Sequence, residues 1–220
     1  MDFPTEQLTP MLIGISFLLY ALMLGYSGWK ANLRKLLNAD NSNVFLGACV
    51  LLMTLWMMRA GIAPGQNFHL LGVTTLTLMF GWHYGFLAIS LVILGSSLFW
   101  GYSLQAFAWN ALFQGAFPIA TTWGLLLLTQ RFLPKYFFIY IFVNAFFASA
   151  IASFVANYSS GYFLVLIGSQ TLDWFQESHA PFVLLLMFLE AFVNGMAMTM
   201  LVVYKPEWVY SFRDQDYLNK

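Results

Sequence analysis

The chain has 220 residues, of which 60% are apolar and only 8% charged, with zero net charge at pH 7. A water-soluble domain carries about a quarter charged residues to keep its surface hydrated, so this composition excludes an ordinary soluble fold and makes lipid the main solvent. No basic run exceeds Arg34-Lys35, which excludes an extended nucleic-acid surface.

The chain opens on Met1-Asp2-Phe3-Pro4-Thr5-Glu6. A cleavable signal peptide opens with positive charge, so this acidic start is read as a mature N-terminus on the outer side. Seven apolar segments follow, at 11–29, 44–58, 68–80, 84–100, 106–129, 136–157 and 180–203. They predict an all-α membrane protein, a bundle of about seven transmembrane helices forming one domain over residues 1–220. The second and third segments are shorter than a full crossing of ~20 residues. The link between them carries Gly61, Pro64 and Gly65, which let a chain turn sharply, so it is expected to tuck back into the bundle. The sixth segment is rich in small residues, Ala145, Ala148, Ser149, Ala152 and Ser153 among them, which allow close helix approach within the subunit or to a partner. Between the last two segments, the apolar run from Tyr162 to Ile167 is too short to cross, and 158–179 is expected to be an outer loop or surface helix.

Orientation follows from the cations. With the N-terminus outside, Lys30, Arg34, Lys35, Arg131, Lys135, Lys205, Arg213 and Lys220 fall inside, and Arg59 alone falls outside. The C-terminus is then cytoplasmic. Trp29, Trp56, Trp82, Trp100 and Trp208 lie at segment ends, where amphipathic rings favour the interface.

Few residues carry chemistry. The last segment has no lysine for a retinal Schiff base, and neither a P-loop nor an HExxH motif occurs, so the chain is read as a non-enzyme. Cys49 has no partner for a disulfide and is read as a small core residue. Met196, Met198 and Met200 fall at about 0°, 200° and 40° around a helix, so they do not form one soft-metal face. His83 and His179 are expected to be interfacial or solvated. His69, at the start of the third segment, has two readings: an imidazole ligand for a transition metal, or an interfacial histidine bonded to a neighbour. Glu190 lies well inside the last segment, where a charge is costly unless paired or facing a cavity. It reads either as an anchor lining a path or as a hydrogen-bonded structural acid, with Arg59 a possible partner. Asn110 either orders the loop near His69 or makes a polar interhelix contact.

Three short stretches, in this order, carry a resemblance: Phe68-His69-Leu70-Leu71-Gly72 after the Pro-Gly loop, Ala108-Trp109-Asn110-Ala111, and Glu190 followed by Asn194 and Gly195. The chain resembles the substrate-capture membrane subunits of cobalt and nickel energy-coupling-factor transporters, the CbiM/NikM family, whose members typically carry Gly-His-Leu-Leu-Gly after such a loop. The resemblance implies a divalent transition metal (cobalt, nickel or zinc) as bound substrate, with no prosthetic group. Its ligands would be the Met1 amine, residue two and His69. The family's residue two is typically histidine, whereas here it is Asp2, a harder oxygen donor. The implied partners are a transmembrane coupling subunit and cytoplasmic ATPase subunits, in a bacterial cytoplasmic membrane. The alternative is a non-transporting accessory subunit of a larger membrane complex on the same scaffold, which Asp2 favours.

Overall fold

The computed structural model describes residues 8–63, 66–101 and 103–218, with backbone alone for 60–63 and 66–67. Helix α1 (Pro10–Lys30) starts with Pro10 at a position whose N–H has no helical partner, while the Thr9 hydroxyl accepts from the Leu12 N–H at 3.4 Å. Most of α1 faces outward, with Met11, Leu18 and Leu22 more than 60% exposed, as a lipid-facing helix requires.

Helix α2 (Ala39–Met57) begins five residues before the apolar segment expected at 44–58. Its first turn is polar and therefore silent in hydropathy, but it is well built for a helix start. Asn38 Oδ1 accepts from the Asp40 N–H at 2.9 Å, and Asp40 complements the positive end of the helix. Phe45, Cys49, Leu52 and Trp56 recur at helical spacing and form its buried face. Cys49 is a core residue, its Sγ 3.9 Å from the Ala88 carbonyl.

A short antiparallel hairpin, β1 (Ala60–Ala63) and β2 (Gln66–Phe68), follows, with Ala60 opposite Phe68 and Gly61 opposite Asn67. It leads into α3 (Val73–Trp100), which is interrupted at Gly81 by a φ of 80° and ψ of 172°. In a continuous helix, residues eight apart are separated by about 12 Å. Here the Cα of Thr77 lies 3.5 Å from where a Cβ on Gly85 would sit. The chain therefore reverses at Gly81, in a conformation that L side chains avoid. α3 is thus a helical hairpin with a short arm, 73–80, and a long arm, 82–100. The short arm is only about 12 Å long, less than half the ~30 Å hydrocarbon layer, whereas the long arm is about 28 Å and crosses it.

Three long helices complete the bundle: α4 (Leu104–Phe132), α5 (Phe137–Leu166) and α6 (Leu172–Tyr204). With α1, α2 and the two arms of α3, the described residues form seven helical rods, in agreement with the expected all-α membrane bundle. The stretch 158–179 is corrected. It is neither a long loop nor a separate surface helix: α5 runs on to Leu166 and α6 starts at Leu172, leaving only 167–171 as the connection. Asn157, Ser160 and Gly161 are buried on α5. Asp173 lies in the first turn of α6, where the Thr171 hydroxyl accepts from the Trp174 N–H at 3.1 Å. On α6, Met196 and Met200 face outward and Met198 is buried, which excludes a methionine row there.

After α6 the chain turns back beneath the bundle. Tyr210 N–H donates to the Met79 carbonyl at 2.9 Å and Ser211 N–H to the Leu78 carbonyl at 3.1 Å. These are carbonyls that the end of the short arm leaves without helical partners. A final turn, α7 (Asp214–Tyr217), packs Tyr217 against Tyr140 and Phe212.

Candidate metal centre

The four residues His69-Leu70-Leu71-Gly72 join β2 to the short arm of α3, and each of three is fixed by a different contact. His69 is 3% exposed, and its ring lies against the Trp56 indole with centroids 4.2 Å apart. The same indole donates Nε1–H to the Leu71 carbonyl at 3.1 Å. Trp56 is therefore not an interfacial anchor as its place near a segment end suggested. At 2% exposure it is the wall against which the loop is set. Gly72 ends the stretch in the left-handed region, φ 64°, and a Cβ there would lie 2.6 Å from Leu52 Cδ1. The conformation requires glycine at this position, and a Cβ would in addition force the Leu52 side chain to move.

From the other side the loop is held by Glu190. Its carboxyl accepts the backbone N–H of Leu71 and, at 3.2 Å, that of Gly72. These are orphan donors at the start of the short arm, where the positive end of the helix favours an acidic group. One turn along α6, Asn194 donates Nδ2–H to Glu190 Oε2 at 2.6 Å. Asn194 Oδ1 accepts from the Thr75 N–H at 3.1 Å and from the Thr75 hydroxyl at 2.7 Å. Ser149 on α5 donates to the Glu190 carbonyl at 3.1 Å, tying a third helix into the group. Every polar atom of this clasp is engaged, which is the condition for placing a carboxyl group inside a membrane protein.

The structure thus pairs Glu190 with the His69 loop, and its carboxyl partners are Leu71, Gly72 and Asn194. Arg59 is directed elsewhere, donating Nε–H to the Trp56 carbonyl at 3.0 Å with its guanidinium 5.3 Å from the Trp100 ring centre. Asn110 is buried on α4 at the head of a π-helical turn over 111–116, and its Oδ1 accepts from Gln114 Nε2 at 3.1 Å. Met1 and Asp2 lie outside the described residues. Among those described, no three His, Cys, Asp or Glu side chains converge as a metal-binding group.

Two of the residues shaping this region were not legible as such. One is Trp56, whose only signal was its place in the buried stripe of α2. The other is His179, expected to be solvated or interfacial and found fully buried. Its Nε2 is 2.9 Å from the Asn157 carbonyl, which can only accept, so that nitrogen carries the proton. The ring stacks with Trp174 and Phe175 and lies 5.4 Å from Phe68, the residue before His69. Gly161 makes room, since a Cβ there would run into the imidazole.

The sequence matches the family model described as the cobalt uptake substrate-specific transmembrane region, over residues 3–208. A comparison with curated proteins gave no match. Among solved structures, the fold is similar to a crystal structure of a truncated transition metal transporter, with a TM-score of 0.75 at 15% identity over 93% of this chain and 99% of that one. A second crystal structure of a transition metal transporter aligns with a TM-score of 0.69 at 17% identity, over 91% and 92% of the two chains. At such identities the structures share the fold, while the family match extends over nearly the whole sequence. The chain belongs to the CbiM family, the transmembrane components of cobalt uptake.

Proposed function

We propose that this protein is the substrate-binding membrane subunit of an energy-coupling-factor-type transporter that takes up a divalent transition metal of the cobalt or nickel kind. The observation that carries this reading is the His69 loop, pressed on Trp56 from one side and clasped by Glu190 and Asn194 from the other. Binding a metal requires its ligands to be held in advance, because ordering a free loop on binding subtracts from affinity. Here the ordering is already supplied by the fold.

In this reading His69 contributes an imidazole nitrogen, and the Met1 amine and Asp2 carboxylate complete the set. Glu190 and Asn194 act on the loop backbone rather than on the metal, and Asn110 orders neighbouring backbone from α4. Amine, imidazole and carboxylate make a mixed nitrogen–oxygen site suited to cobalt, nickel or zinc. The N-terminus would face outward and the C-terminus the cytoplasm of a bacterial cell, as the distribution of lysine and arginine favours. Transport energy would come from separate ATPase subunits acting through a transmembrane coupling subunit.

A second reading keeps the scaffold but removes transport, making the chain an accessory subunit of a larger membrane complex. Asp2 is the observation in its favour. Uptake of labelled cobalt by cells carrying the complete transporter separates the two. Transport predicts that His69→Ala abolishes uptake while the protein remains in the membrane at normal abundance. Uptake unaltered by that substitution would leave the accessory role.

A further inference from the structure

The clasp at Glu190 holds the head of the short arm, the Thr74 hydroxyl bonds that of Thr122 on α4 at 2.9 Å, and a further set of contacts lies at the opposite end. There Leu78 and Met79 carbonyls, left open by the break at Gly81, accept the backbone N–H groups of Ser211 and Tyr210. The Ser211 hydroxyl reaches the Leu78 carbonyl at 2.8 Å and lies 2.6 Å from the Tyr140 hydroxyl on α5. Since Leu78 O can only accept, Ser211 donates to it, and Tyr140 donates to Ser211. Tyr210 covers the turn itself, its ring 3.3 Å from where a Cβ on Gly81 would sit and stacked on Trp123. Leu78 and Tyr140 are wholly buried.

We infer that Ser211 is a positioning residue for the His69 loop, acting through the arm 73–80 as a strut between the C-terminal segment and the loop. Eight residues of helix form a rod of about 12 Å that shortens or bends only by breaking its own hydrogen bonds. Its head is bonded to Glu190 and Asn194 through Leu71, Gly72 and Thr75. Its foot rests on the C-terminal segment. Loosening the foot therefore loosens the head, and a partner that shifts residues 209–211 shifts the backbone that carries His69. The link itself requires no metal. Its use in transport rests on the reading of His69 as a metal ligand.

Hydrogen exchange of the purified full-length protein in nanodiscs tests the link without metal. Ser211→Ala removes the hydroxyl and leaves both backbone N–H groups in place. Amides of residues 71–75 are expected to exchange roughly fivefold faster, the effect of one lost hydrogen bond passed along the rod. Ser211→Thr, which keeps a hydroxyl, is expected to restore slow exchange. Ser90→Ala, which removes a hydroxyl bonded to Phe86 on the long arm, is expected to leave 71–75 unchanged. The reciprocal experiment covers a Ser211 variant that does not fold: Glu190→Gln is expected to speed exchange at Tyr210 and Ser211. Unchanged exchange at 71–75 in Ser211→Ala, or at 210 and 211 in Glu190→Gln, would overturn the strut. Calorimetry with Co²⁺ on the same samples separates the two levels. Coupled exchange in a protein that binds no metal supports the strut and removes the transport reading, whereas uncoupled exchange with intact binding overturns the strut alone.

Discussion

Glu190 and Leu71 are 119 residues apart in sequence, yet the carboxyl of one accepts the backbone N–H of the other in the interior of the bundle. Gly72 N–H joins the same carboxyl at 3.2 Å, and Asn194 closes the group from one turn further along α6. The acid sits at the positive end of a half-helix and fixes the direction in which the His69 loop leaves it.

Glu190→Gln keeps the shape and one acceptor oxygen but turns an amide NH₂ toward a second donor. Leaving one buried donor unsatisfied costs about 1–3 kcal/mol. Metal affinity, measured by calorimetry, is expected to fall about tenfold or more, with the protein still folded by circular dichroism. Equal affinity in the variant would remove Glu190 from any role in holding the loop.

Trp56 makes two contributions that can be separated. Trp56→Phe keeps an aromatic wall for His69 and loses only the bond to the Leu71 carbonyl, worth about 0.6 kcal/mol for hydrogen bonds inside membrane proteins. Trp56→Ala also removes a ring buried to 2% exposure, a loss of about 3–5 kcal/mol. Thermal unfolding in detergent is expected to show a small shift for the first and a large one for the second. Similar shifts for both would mean that the indole N–H carries the contact.

Gly72→Ala meets two obstacles, a left-handed backbone and Leu52 Cδ1 at 2.6 Å. The conformational part costs about 1–2 kcal/mol and cannot be relieved by a neighbour. The steric part can be. In a double-mutant cycle, Gly72→Ala is expected to destabilise less in a Leu52→Ala background than in the original protein. Additive effects would show that Leu52 already yields.

Asp2→His exchanges an oxygen donor for an imidazole at the proposed site. Nitrogen donors favour Ni²⁺ more than carboxylates do, so Ni²⁺ is expected to bind more tightly to the variant. Affinity indifferent to this exchange would place residue two away from the metal.

The general architecture was legible because lipid imposes a simple rule: crossings are apolar, and their backbone is satisfied internally. α1 and the long arm of α3 therefore appear in the sequence nearly as they stand in the fold. The exceptions share one cause, that polar residues buried against each other look like loops. Asn157 and Ser160 interrupt the apolar signal but lie inside the continuous helix α5, and the start of α2 is hidden by its own capping residues. The third segment was already too short for a full crossing, but nothing in the sequence revealed that the chain reverses at Gly81 to make it one arm of a hairpin. In the site, His69, Asn110 and Glu190 stand out as polar residues in apolar surroundings. Their assignments do not, because the partners of Glu190 are backbone N–H groups, which no side-chain pattern displays. His179 failed for a related reason: Trp174 and Phe175 lie about one turn away on its own helix, but Phe68 and the Asn157 carbonyl, which complete its enclosure, come from other segments.

The central claim is that the His69 loop binds a divalent transition metal, and isothermal titration of purified protein with Co²⁺ tests it most directly. Binding at one site per chain, abolished by His69→Ala in a protein that still folds, is the predicted result. No heat of binding in the original protein, or binding that survives His69→Ala unchanged, would contradict it.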